Sequence, residues 1–155
     1  MQDGTNNTPR GRGRPRAYDA DAVALRIVDT FWTHGYSATS LDRLASATGL
    51  NRPSLYAAFG DKKAMYRHAL DAFAGQVRGE IERALAAPDL ATALRQFYRS
   101  AIAVYRSGDA QPRGCLFVST ATVEAVDDDE IRADVARMLQ TVDAALEARF
   151  RLAQM

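Results

Sequence analysis

The sequence predicts an all-α protein in two parts, a small three-helix head followed by a longer antiparallel helical body. Three observations carry this. Apolar residues recur at three- and four-residue spacing in segment after segment, as in Met65, Tyr66, Leu70, Phe73, Val77 and Ile81. Capping residues precede these segments (Asp19, Thr39 or Ser40, Asp61, Asp89), and Gly35, Gly49 or Pro88 follows them. Between Thr39 and Met65 the spacing is that of two short helices joined by a tight turn.

Helix 1 is expected from Asp19 or Asp21 to His34, with Val23, Ile27 and Phe31, joined by Leu25, Val28 and Trp32, as its buried side. Helix 2 begins at Thr39 or Ser40, either of which can cap it, and carries Asp42 in its first turn, where the helix dipole favours an acid. Leu41, Leu44 and Ala45 share one face, and Gly49 supplies the positive φ of the turn. Helix 3 runs from about Arg52 to Ala58, with Pro53 near its start and Leu50 and Leu55 seating it on helix 2. Asn51, Arg52 and Ser54 are left at its N-terminal end, where a recognition helix meets base edges and phosphates. A guanidinium at Arg52 matches guanine O6 and N7 bidentately and equally suits a phosphate. Ala57 is small enough for close approach or for contact with a thymine methyl.

Thr39-Ser40-Leu41, Leu44-Ala45, Gly49-Leu50, Leu55-Tyr56, Phe59, Lys62 and Met65 together resemble the DNA-binding domain of the TetR/AcrR family of bacterial repressors. The resemblance covers roughly residues 20 to 70. It implies a helix-turn-helix DNA-binding domain over 18–66 and a helical regulatory, ligand-binding and dimerisation domain over 67–155. It also implies that Thr39 and Tyr56 bond backbone phosphate and that Lys62 fills a phosphate-binding position. Lys63 stands where the family more often has an acid, which suggests a second phosphate contact.

Ahead of the head, 1–17 reads as a disordered Arg/Gly-rich arm. Its Arg-Gly-Arg-Pro core resembles an AT-hook, and Arg12, Arg14 and Arg16 suit a narrow minor groove or phosphates. Charge is divided accordingly. Residues 1–68 hold ten basic and six acidic side chains, and residues 69–155 hold ten basic and thirteen acidic. Only the front is suited to a polyanion such as double-stranded DNA.

In the body, helix 4 is expected to start on an Asp61 cap and continue to about Ala87, stopped by Pro88, with Gly75 and Gly79 permitting a bend. Helix 5 covers about Asp89 to Ser107 with a broad apolar face, helix 6 opens at Arg113-Gly114-Cys115 and reaches Val126, and helix 7 runs from about Asp129 to the end. The acidic run 127–130 lacks calcium-ligand spacing and reads as a solvated loop and helix start. Phe73, Phe97, Tyr98, Tyr105, Phe117 and Thr120 are candidates to line a pocket for an unidentified small-molecule effector, and equally candidates for core. Cys115, beside Arg113 at an expected helix N-terminus, is a candidate thiolate sensor or a small buried side chain.

One cysteine allows no intramolecular disulfide, and no apolar stretch approaches a membrane span. The expectation is a cytoplasmic protein without metal, cofactor or membrane partner. A thiol enzyme would need Cys115 beside a histidine, and His34 and His68 both fall in or next to the head. Family members usually carry two further helices that pair in a dimer interface, so the body is expected to be C-terminally truncated here. The reading is a ligand-responsive regulator, a repressor by resemblance, binding a palindromic operator as a homodimer in the complete family form. The alternative is a truncated DNA-binding protein without sensor or dimer interface.

Overall fold

The computed structural model describes residues 18–108 and 111–154. Among them are seven α-helices and no strand: α1 (Ala20–His34), α2 (Leu41–Thr48), α3 (Arg52–Phe59), α4 (Lys62–Leu85), α5 (Leu90–Tyr105), a π-helical turn (Phe117–Ala121) running into α6 (Thr122–Glu124), and α7 (Asp129–Leu152). Six of the helices begin on a side-chain cap. Asp19, Ser40, Asn51, Asp61, Asp89 and Asp128 each accept a hydrogen bond from a first-turn backbone N–H. A cap of this kind contributes about 1 kcal/mol to its helix.

α4 is the central element, packing on α1, α5 and α7. Its Met65, Tyr66, Leu70 and Phe73 are buried against Ile27, Phe31 and Trp32 of α1, with Leu44 and Leu55 closing the head and Leu116, Phe117, Ile131 and Met138 continuing the same apolar cluster. Aromatic contacts fix the angle between α1 and α4. The Tyr66 ring lies 5.0 Å from those of both Phe31 and Tyr36, and Trp32 meets Phe73 edge-on at 4.9 Å. Polar atoms in this cluster find partners: Trp32 Nε1 donates to the Gly114 carbonyl at 3.1 Å, and the Tyr66 and Thr120 hydroxyls lie 2.7 Å apart.

Helix 6 differs from expectation. Gly114 has φ +73°, a conformation that no helix continues through, so the helical backbone starts after Cys115. The Thr122 N–H then donates to the Phe117 carbonyl five residues back, the signature of a π turn. α5 also differs, for only Ala93 is fully buried. Its principal neighbour is α4, so one flank is covered and Tyr98, Ile102 and Tyr105 stay exposed. Leu25 of α1, expected inside, is 70% exposed because it points away from α4. The acidic run 127–130 is more than a solvated loop. Asp128 caps α7 and pairs with Lys63, and Glu130 pairs with both Lys63 and Arg67.

Candidate nucleic-acid interface

The head is built by two local devices. Ser40 accepts from the Arg43 N–H to start α2, and Gly49 ends it at φ +72°, ψ +10°, in the left-handed region. Asn51 then caps α3 through the Ser54 N–H at 2.9 Å, so that Arg52 and Pro53 fall in the first turn. Leu55 is the buried anchor of α3. Asn51, Arg52, Tyr56 and Ala57 are exposed, Ser54 is half-buried, and all five lie on α3 or its cap. A helix end with exposed polar side chains suits a groove and its flanking phosphates.

Three expectations on the head need revision. Thr39 has no exposed surface; its hydroxyl donates to the Gly35 carbonyl at 2.6 Å and its N–H to the Tyr36 carbonyl at 3.1 Å. Its role is to lock the α1–α2 turn, so it is withdrawn as a phosphate contact, and Ser40 is the cap. Lys63 is not a free cation on the head. Its ammonium sits 2.7 Å from Asp128 and pairs with Glu130, tying α4 to the start of α7. Lys63 in turn holds the Asp128 carboxyl below its ordinary pKa. Asp42 does more than complement the α2 dipole, because it pairs with Arg52 across the turn. Lys62 places its ammonium 4.3 Å over the Tyr36 ring, at the N-terminus of α4 and on the head. Arg43, one residue beyond Asp42, lies 3.0 Å from the His34 ring.

In the body the candidate ligand residues separate. Phe97, Tyr105 and Cys115 line a cavity of about 70 Å³ between α4, α5 and α7, completed by Val77, Ile81 and Met138. Phe73 and Phe117 are core side chains packed on each other with ring centroids 6.1 Å apart. The Thr120 hydroxyl is held by Tyr66 and the Leu116 carbonyl, and the residue borders a different, open cleft of about 750 Å³ beside Trp32 and Arg113. Tyr98 is 61% exposed on the outer flank of α5, against Phe97. These four do not join the cavity. Arg113 does not serve Cys115 either. Its guanidinium lies 4.2 Å over the Trp32 ring and pairs with Asp29. Among the described residues no group of His, Cys, Asp and Glu is placed to hold a metal ion, and no helix is long and apolar enough to cross a membrane.

Residues 27–69, from the middle of α1 into α4, match the family described as bacterial regulatory proteins, tetR family. The chain is 33% identical to the TetR family transcriptional regulator CifR, in a triple cysteine mutant solved with a 26-base-pair operator duplex. The likeness covers 90% of this chain and 74% of CifR, with a TM-score of 0.70. The chain belongs to the TetR family. Within that family it is also similar to the transcriptional repressor ComR of Escherichia coli K12, at 33% identity over 131 residues. It spans 62% of ComR's length. The TetR regulator PfmR of Thermus thermophilus shares 25% identity over 83% of this chain and 68% of its own, with a TM-score of 0.64. As a TetR-family chain its α2 and α3 are the helix-turn-helix. The arm residues Arg12, Arg14 and Arg16 lie outside the described residues.

The residues that sequence reasoning missed are all partners in ion pairs. Taken singly, Asp42, Asp128 and Glu130 give no sign of it, yet each faces a cation from another element. One signal is present in the sequence. Lys63 and Arg67 are one helical turn apart, as are Glu130 and Asp134, so two ladders of opposite charge have matching rungs.

Proposed function

We propose that this TetR-family chain is a DNA-binding transcriptional regulator that reads a palindromic operator in the major groove with α3. The carrying observation is the exposed N-terminal end of α3, where Asn51, Arg52, Tyr56 and Ala57 stand free of the core while Leu55 anchors the helix. Arg52 and the α3 N-terminus reach bases and phosphates, Tyr56 and Lys62 hold the flanking backbone, and the Arg-rich arm follows the adjacent minor groove. The operator-bound state of CifR supports this reading. Residues 18–66 act as the DNA head and 67–155 as the regulatory body, with α4 belonging to both.

In this reading two copies place their heads about 34–36 Å apart, or a multiple of that, to meet successive half-sites. The chain represses, as ComR is named to do, and a small molecule releases it. The effector enters at the cavity bordered by Phe97, Tyr105 and Cys115. Ligand pockets usually offer about 300–1,000 Å³, so binding widens this one and moves α5 or α7 against α4.

Selection of bound duplexes from random DNA tests the reading, followed by a salt series on the recovered sequence. A preferred inverted repeat is expected, with log affinity falling steeply against log salt. Neutralising Arg52 and Lys62 together should weaken binding at least tenfold and flatten that slope by about 1. Recovery of no preferred sequence, or an unchanged slope in the double variant, would reject it.

A further inference from the structure

We propose that Asp42 is a positioning residue that makes Arg52 a reader of guanine rather than a clamp on phosphate. The inference rests on the DNA-binding reading above. It starts from how the guanidinium is held. Arg52 Nε and Nη2 donate to Asp42 Oδ1 at 2.8 and 2.6 Å, and Nη2 also reaches Oδ2 at 2.5 Å. That pairing uses the side edge of the planar fork. The end edge, formed by Nη1 and the second Nη2 hydrogen, remains, and Nη1 has no hydrogen-bond partner among the described residues. An end-on guanidinium edge is the donor pair that matches guanine O6 and N7.

Both halves of the pair stand on rigid ground. Asp42 lies in the first turn of α2, fixed by the Ser40 cap, and Arg52 is the first residue of α3, between the Asn51 cap and Pro53. The two are joined across the Gly49 turn, so the fork is held relative to both helices of the head. An unpaired arginine here would be long, mobile and fully charged, and the nearest phosphate would capture it. The pair is exposed, 54% at Arg52 and 73% at Asp42, so solvent screens it, but a carboxylate on the side edge still occupies two of the fork's donors and weakens the pull toward phosphate. A base edge needs geometry more than charge, so its attraction survives. The carboxylate also repels the backbone, lowering affinity for every duplex that offers no matching guanine. Asp42 therefore trades general affinity for discrimination.

The test uses the full chain with substitutions D42A, D42N, D42E and R52A, each checked for an unchanged thermal transition. Binding is measured on the selected duplex, on versions changed at each position, and on a scrambled duplex. The expected result is a guanine in each half-site whose preference disappears in R52A. That preference should fall about tenfold in D42A and D42N and return in part in D42E. On the scrambled duplex, D42A and D42N should bind more tightly, with a salt slope steeper by about 1, because Arg52 is free to take a phosphate. Tighter binding of D42A to every duplex by one common factor, with base preference intact, would overturn the proposal and leave Asp42 as a repelling charge only. A wild-type chain that selects no sequence would overturn the DNA-binding reading and this inference with it. A wild-type chain that selects a sequence in which R52A changes no base preference would overturn the inference alone.

Discussion

Arg67 of α4 clasps Asp134 of α7, with Nε 2.7 Å from one carboxylate oxygen and Nη2 3.1 Å from the other. The Asp134 side chain is only 3% exposed, and Arg137 from its own helix completes its coordination. The same Arg67 extends Nη1 to Glu130 at 2.8 Å, so one guanidinium joins two rungs of α7 to the base of α4. The carboxylates hold Arg67 well above its ordinary pKa. R67M should leave a buried carboxylate short of partners and cost about 2 kcal/mol, read as a lower urea midpoint at unchanged m. Adding D134L should recover most of that loss, because removing both charges also removes the uncompensated one.

Tyr66 gives a pH dependence with a definite sign. Burial pushes its phenol up to about 12, above the ordinary value of 10.0. The stabilising preference for the neutral phenol is fully present below pH 10 and is lost as pH rises through about 12, because the unfolded chain releases its proton first. Thermal melts between pH 9 and 12 should show falling stability. Y66F should be less stable near neutrality by about 1 kcal/mol, from the lost bond to Thr120, and its alkaline decline should be shallower.

The adjacent lysines separate two roles. Lys62 faces Tyr36 on the head, whereas Lys63 is tied to Asp128 and Glu130. K62A should lower the salt slope of DNA binding by about 1, and K63A should leave that slope unchanged. K63A should instead lower the melting temperature, by an amount that shrinks in high salt.

Two turn glycines should respond differently to alanine. Gly49 lies in the left-handed helical region and a Cβ there meets nothing within 4 Å, so G49A should cost about 1 kcal/mol from backbone strain alone. Gly60 has φ +79°, ψ −154°, a region essentially reserved for glycine, and a Cβ there would sit 3.0 Å from that of Ala64. G60A should cost about 2–3 kcal/mol, with chemical denaturation of the two variants side by side as the measure.

The sequence by itself determined the helices of the head almost to the residue. The caps at Asp19 and Asp61, the left-handed Gly49 and the buried Leu44 and Leu55 are local consequences of hydrogen bonding, φ preference and helical period, and each stands in the structure as the residue types require. Short-range physics acts over four residues or fewer, and a window of sequence contains it. The tertiary structure alone decided what depends on partners many residues away. It bound Lys63 to α7 and Asp42 to Arg52, and parted Phe73, Phe117, Thr120 and Tyr98 from the small cavity that Phe97, Tyr105 and Cys115 border. The reason is that an ion pair or a packed ring needs two groups at one point in space. Helical spacing tells which face a residue shares but not which element will come to cover it.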